Sequence, residues 1–248
     1  MEIKIDDIRT IKSNGIYSFI GTNKSIKSKM IKPILKNIEN NVKKVKCGYC
    51  TSNPYDLLKK KTVKECLQRV LQIYDYDEKY IEKRVYDSFR ILDMDTKYLD
   101  YNISDLDYVE AKKISLLVSL IHNPKIIILE DFTDTLVNFD RKQVSRLLRL
   151  LKNKYKKIIL LFTKDTDFCY EISDYIYVLD NKKIVKEGNK YILKDIKLLN
   201  KLGLKVPPII EFIAYCNKNN HEIGDYTSIL DLIKAIYREV RWQIVWNI

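Results

Sequence analysis

The chain is poor in glycine. It has six in 248 residues, where average usage of about 7% would supply roughly seventeen. Loops that hold phosphate on backbone amides rely on glycine, so the shortage counts against a glycine-rich phosphate cradle. Five cysteines, an odd number, argue against a disulfide framework. Cys47-Gly-Tyr-Cys50 is the sole CxxC, and the two histidines, His122 and His221, lie far from it in sequence. A lone cysteine pair cannot complete a tetrahedral zinc site. Thr51-Ser52-Asn53-Pro54 follows as a loop where a thioredoxin-type motif needs a helix, so the pair is expected to be two buried structural thiols. Long apolar runs are also missing. Runs such as Ile126 to Leu129 and Ile158 to Phe162 fall far short of the roughly 18–20 residues of a spanning helix. The N-terminal residues carry no secretion-signal core. The expectation is a cytoplasmic chain.

Apolar residues make up 46% of the chain, enough for a sizeable core. Lysine and arginine number 45 against 33 acids, a net charge of +12. That invites a nucleic-acid reading. The basic residues are interleaved with acids, however, and the dense clusters, Lys59 to Lys61 and Lys152 to Lys157, sit beside predicted loops. The charge therefore predicts a diffuse solvated surface, able to favour an anionic membrane face. No specific nucleic acid is expected as a partner.

Hydrophobic spacing predicts a short buried strand at Ile16–Ile20 ending at Gly21. A helix from Ile26 to Asn40 follows, with Pro33 in its early turns, and then a strand at 42–50. Thr62 and Glu65 form a capping box that opens a helix towards Ile73. Further helices are expected at 78–92 and 109–121, the latter ended by Asn123-Pro124. Ile126 to Leu129 is a fully buried strand by type. Helices at 141–151 and 167–172 alternate with strands at 157–162 and 175–179. A hairpin turn at Asn181-Lys182 leads into 183–186. This alternation predicts an α/β layered domain with a mostly parallel sheet. From Lys194 helices dominate. The expected division is 1–190 for the α/β domain, with a helical subdomain at about 56–110, and 191–248 for a small helical appendage.

After the first strand comes Gly21-Thr22-Asn23-Lys24-Ser25-Ile26-Lys27-Ser28. The P-loop pattern is G-x-x-x-x-G-K-[ST] between a strand and a helix. Gly21, Lys27 and Ser28 stand at the right spacing, but Ile26 replaces the last glycine. A β-branched residue resists the positive φ such loops use. Taken alone, this is a weak signal.

The segment from Leu106 to Asp140 resembles the ATP-binding cassette (ABC) ATPases, P-loop NTPase-like proteins. In that family an L-S-G-G-Q signature opens a helix that ends in N-P, and the next strand ends in D-E-P-T. Here the helix ends at Asn123-Pro124, and the strand runs into Glu130-Asp131-Phe132-Thr133. Leu160 to Asp165 resembles the switch strand, and Tyr175 to Gly188 the closing hairpin. Thr62–Leu67, Ile81–Asp100 and Leu198–Phe212 resemble the energy-coupling-factor subgroup, the cobalt- and vitamin-uptake ATPases. The resemblance spans roughly Ile16 to Tyr237.

The resemblance also implies the site and its departures. Gly21, Lys24, Lys27, Ser28 and the Q-loop position Ser52 fall on nucleotide-binding positions. Ser28 and Glu130 fall on the metal positions, Asp131 on the general base and Lys164 on the switch histidine. Asp107, Tyr108, Val109 and Glu110 fall on the signature, with Lys112 and Lys113 in its basic positions. The D-loop aspartate falls on Val137. Lys24 and Ile26 stand where the family has glycine. Asp107 would bring an anion beside a phosphate, and Tyr108 would fill backbone space. Asp131 is one methylene shorter than the family's glutamate. For the Glu130-Asp131 pair the competing expectation is a strand cap solvated at the sheet edge.

In this family each site joins one subunit's P-loop to the other's signature. The resemblance therefore implies a degenerate ABC ATPase subunit with weak Mg-ATP binding at most. Its partners would be an ABC ATPase paralogue or itself, in a dimer, and a membrane scaffold subunit. It would sit in the cytoplasm, peripheral at the inner face of the cell membrane. The alternatives are a divergent but active ATP-hydrolysing subunit and, from charge alone, a basic nucleic-acid module. Trp242 and Trp246, with Arg238 and Arg241, predict an amphipathic C-terminal helix for a partner or a membrane surface.

Overall fold

The structure, a computed structural model, describes residues 3–6, 8–11, 13–22, 24–41, 46–134, 136–181, 183–219, 221, 223–226 and 229–246. Its strands are β1 (Ile3–Lys4), β2 (Thr10–Ile11), β3 (Gly15–Ile20), β4 (Cys47–Cys50), β5 (Ile126–Glu130), β6 (Ile158–Thr163), β7 (Tyr175–Asp180) and β8 (Lys183–Gly188). Its helices are α1 (Lys24–Asn41), α2 (Val63–Ile73), α3 (Glu78–Phe89), α4 (Tyr108–Leu120), α5 (Asn138–Asn153), α6 (Thr166–Ile172), α7 (Ile196–Lys201), α8 (Pro208–Lys218) and α9 (Ile229–Trp246).

Six strands form one sheet in the order β4-β5-β6-β3-β7-β8. Neighbours are parallel from β4 through β7, and β8 returns antiparallel. β1 and β2 make a separate antiparallel pair. Both faces of the main sheet are covered, which is why β5 and β6 are buried at every position. Alternate residues serve two cores. Ile16, Ile127, Leu129, Ile159 and Leu161 join the core under α2 to α6. Phe19, Ile126, Ile128, Leu160 and Phe162 join the core under Ile31, Ile34 and Ile38 of α1. In that second core Phe162, Phe19 and Tyr177 stack across β6, β3 and β7, with centroids 4.5 and 4.7 Å apart. Leu199, Leu204, Ile209, Ile213 and Leu232 of the C-terminal helices pack into the first core.

The layered parallel sheet matches the sequence expectation, and the Thr62–Glu65 capping box is present. Several details differ. α1 opens at Lys24, two residues before the expected start, so Pro33 lies well inside the helix. β4 is described only from Cys47; residues 42–45 of the expected strand lie outside the described residues. Cys50 is buried, but Cys47 is only half-buried. Their odd separation on one strand places them in opposite cores. His122, distant in sequence, lies against this strand, with Nε2 3.2 Å from the carbonyl oxygen of Cys47. Lys157, expected in a solvated cluster, is 6% exposed. Among the described residues no helix is long and apolar enough to cross a membrane. The backbone of α9 reaches Trp246; the side chains of Arg241, Trp242 and Trp246 lie outside the described residues.

Candidate functional site

Parallel register brings four strand ends to one edge. Ile20 lies opposite Thr163, Glu130 opposite Phe162, and Cys50 opposite Leu129. Gly21, Lys164, Asp131 and Ser52 therefore emerge at the carboxyl ends of β3, β6, β5 and β4. Parallel α/β sheets bind ligands at such an edge.

At β3 the connection to α1 is short. Gly21 N–H extends the ladder to the Thr163 carbonyl at 3.2 Å, and α1 begins at Lys24. Only residues 21–23 lie between strand and helix, whereas the sequence expectation left 21–25 for a loop. Thr22 Oγ1 lies 3.5 Å from the carbonyl oxygen of Leu202, so the turn after α7 meets this loop. The side chains of Lys24, Lys27 and Ser28 lie outside the described residues.

The two acids after β5 are buried, 4% and 8% exposed. This corrects the expectation of a solvated strand cap. Glu130 Oε2 accepts the Tyr49 phenol at 2.6 Å. Burial first, and then this carboxylate, pushes the Tyr49 pKa up. Asp131 takes a left-handed backbone, with φ +46°. Its N–H donates to Phe162 O at 2.8 Å, and its carbonyl accepts the ammonium of Lys112 at 2.5 Å. Lys112 is 2% exposed and lies over the rings of Phe132 and Tyr108. Thr133 Oγ1 is buried with no hydrogen-bond partner among the described residues.

The signature positions form the start of α4. Asp107 is its N-cap: its carboxylate accepts Glu110 N–H at 2.8 Å, and Glu110 Oε2 accepts Asp107 N–H at 2.9 Å. This reciprocal box satisfies two of the free amides that make a helix start attractive to anions. Asp107 therefore does not project as a bare anion, as the sequence suggested, but closes its own helix. Tyr98 donates to Glu110 Oε1 at 2.7 Å; this bond first, and then burial, pushes the Tyr98 pKa up to about 12. Tyr108 donates to Ser52 O at 3.1 Å, joining the signature and Q-loop positions within one chain. Val109 is half-buried against the first core.

At the switch position Lys164 pairs with Asp134 at 3.5 Å. The next residue, Asp165, caps α6 and pairs with Arg141 at 2.9 Å. Burial pushes the neighbouring Asp167 carboxyl up, against the pull of Arg141. Lys113 pairs with Asp140 at 3.1 Å. Val137 stands exposed at the start of α5 and gives no side-chain cap.

The edge thus gathers Ser52, Tyr108, Glu130, Asp131 and Lys164. Sequence reasoning missed Tyr49 and Asp134 and left Lys112 without a task. The D-x-x-E spacing at 107–110 carried the capping-box signal. Tyr49 and Asp134 carried none, because their roles depend on pairing across the sheet and between loops.

No family model matches the chain. The fold is that of the ABC ATPases. The chain covers 83% of itself and 90% of cbiO1 from Clostridium perfringens, part of an ABC transporter complex, at TM-score 0.64 and 18% identity. Against a dimeric bacterial ABC transporter cassette the TM-score is 0.65 at 17% identity, with 76% of this chain and 98% of that one covered. Curated sequences extend the likeness to the energy-coupling-factor subgroup. The chain is 27% identical over 200 residues to an energy-coupling factor transporter ATP-binding protein of Carboxydothermus hydrogenoformans, covering 80% of this chain and 71% of that protein. It is 28% identical over 199 residues to one from Methanocaldococcus jannaschii, covering 79% and 69%.

Proposed function

We propose that the chain acts as an ATP-binding-subunit-like protein of an energy-coupling-factor ABC transporter and has lost hydrolysis. In this role it packs beside an active ABC ATPase, or a second copy of itself, and a membrane scaffold subunit. Its work is structural or regulatory, at the inner face of the membrane. Residues 1–190 form the cassette, with its helical subdomain at about 56–110, and 191–248 the appendage.

The observation that carries this reading is the closed start of α4. The amides of Asp107 and Glu110 are taken by each other's carboxylates, and a phosphate approaching this helix start meets both acids. Two further features support it. α1 begins at Lys24, inside the stretch that the P-loop pattern uses as loop. Magnesium, which takes hard oxygen ligands in an octahedral shell, would also meet competing groups at this edge. The buried ammonium of Lys112 holds the backbone carbonyl of Asp131, and Glu130 Oε2 accepts the Tyr49 phenol. Asp131, in its left-handed turn, is a weak base candidate.

A second reading, an active but divergent subunit, draws on the buried Glu130 and Asp131 at a strand end and on the cation Lys164 nearby. Calorimetric titration of the full chain with Mg-ATP separates the two. Absent or non-saturating heat at millimolar nucleotide fits the first. Saturable binding that disappears in Lys27→Ala fits the second.

A further inference from the structure

At the opposite end of the sheet, where β5 and β6 begin, a cleft of about 460 Å³ opens between the ends of α3 and α4 and the flank of α5. Its walls are apolar: Leu120, Ile127, Leu147 and Leu151, with Ile91, Leu150 and Tyr155 at the mouth. Those last three are 45%, 47% and 50% exposed. Water-facing apolar side chains thus converge on one hollow whose volume falls within the range of small-ligand pockets, about 300–1,000 Å³.

Three cations line the same cleft, Arg84, Arg90 and Lys157. Arg84 Nε donates to Ile121 O at 2.7 Å. Lys157 donates to Asn123 Oδ1 at 2.6 Å and lies 3.4 Å from its carbonyl oxygen. All these acceptors are neutral, and among the described residues neither Arg84 nor Lys157 has a carboxylate partner. The third cation, Arg90, pairs with Asp87 at 3.8 Å. Helix-end carbonyls alone are an ordinary reason for a basic side chain. They do not account for two charges beside an open apolar wall. The bond to Ile121 uses one of the five N–H groups of the guanidinium. Lys157 is 6% exposed; burial, then Lys125 and Arg84, pull its pKa down, and the carboxylate on the cleft wall, Asp87, faces Arg90 rather than Lys157 or Arg84.

We propose that this cleft binds a small amphipathic anion, an apolar body of medium-chain size carrying one carboxylate or phosphate head. The body lies on Leu120, Leu147 and Leu150, and the head meets Lys157 and Arg84. The site lies about 17–20 Å from the nucleotide-position edge, the length of a five- or six-residue strand. Its occupancy does not depend on whether that edge binds nucleotide.

The test titrates the full chain with decanoate and decyl phosphate, with decanol, acetate and inorganic phosphate as controls. The readouts are calorimetry and amide NMR shifts. The expected result is saturable one-to-one binding of either anionic amphiphile, with shifts at Leu120, Ile127 and Tyr155. Which head binds tighter identifies the carboxylate or phosphate source. Decanol and the small anions should bind at least about 10-fold more weakly. Lys157→Met should weaken binding by at least about 10-fold, and Leu150→Asp, at the exposed mouth, should abolish it while thermal unfolding stays intact. Saturation by neither amphiphile up to millimolar concentration overturns the proposal. So does equal affinity for decanol, or full affinity in folded Leu150→Asp.

Discussion

Lys112 on α4 donates its ammonium proton to the backbone carbonyl of Asp131, 2.5 Å away, at the first residue beyond β5. Asp131 holds a left-handed φ of +46° that an L-residue adopts at some cost. The buried ammonium holds the carbonyl of that residue. In a cassette-like fold this places a positive charge of the chain's own beside the acid pair.

Replacing Lys112 by Met keeps much of the volume and removes the charge. It leaves the Asp131 carbonyl without this donor in a buried setting. The expected loss is about 1–3 kcal/mol of stability, read as a lower urea midpoint at unchanged slope. An unchanged midpoint would mean the contact contributes nothing to the loop.

Gly48 sits where β4 crosses α4. A methyl group there would lie 2.1 Å from the Ser119 carbonyl oxygen and 2.9 Å from Pro124. Both neighbours are held by the fold, so Gly48→Ala should destabilise by about 1–3 kcal/mol or more. Gly224→Ala is the control. The nearest atom to its added carbon is 4.0 Å away, and its effect should stay within about 0.5 kcal/mol. Equal melting temperatures for the two variants would contradict the packing account.

Asp107 carries the start of α4. Asp107→Ala should cost about 0.5–2 kcal/mol, and Asp107→Ser should recover most of it, because a serine hydroxyl can accept the Glu110 amide. Denaturant unfolding of the pair checks this. A serine variant as weak as the alanine one would show that the carboxylate does something other than cap.

His122 stacks on Tyr74, with centroids 4.2 Å apart, and is 4% exposed. Burial first, and then the cations Lys46, Arg84 and Lys157, bring its pKa down to about 4, against an opposing bond to Cys47 O. The unfolded chain therefore binds a proton between about pH 6.5 and 4 that the folded chain refuses. The stability from the neutral ring is fully present above pH 6.5 and is lost as pH falls through that window. Unfolding midpoints measured from pH 7 to 4.5 should fall in the native chain and fall less steeply in His122→Phe. A ring titrating near pH 6.5 by NMR would contradict this.

Much of the fold was legible in the residues. Ile126 to Leu129 and Ile158 to Phe162 are apolar at every position because both faces are covered, and their neighbours alternate with helical spacing. Thr62 and Glu65 announced a helix start by local hydrogen bonding. The less legible parts depend on what folds against them. Lys157 reads as one of a run of surface lysines until β6 draws it beneath Asn123. His122 reads as remote from Cys47 until β4 and β5 pair. The D-x-x-E spacing of 107–110 is a capping box, so the acids that would repel a phosphate there also complete the helix start. The length of the β3–α1 connection escaped because Lys24 and Ser25 carry no helix-start signal of their own.

The central claim, a cassette fold without hydrolysis, is tested most directly by steady-state phosphate release from the purified full chain in millimolar Mg-ATP, beside Lys27→Ala. The account expects both proteins to release phosphate at the same background rate. Sustained turnover by the native chain that is lost in Lys27→Ala would contradict it.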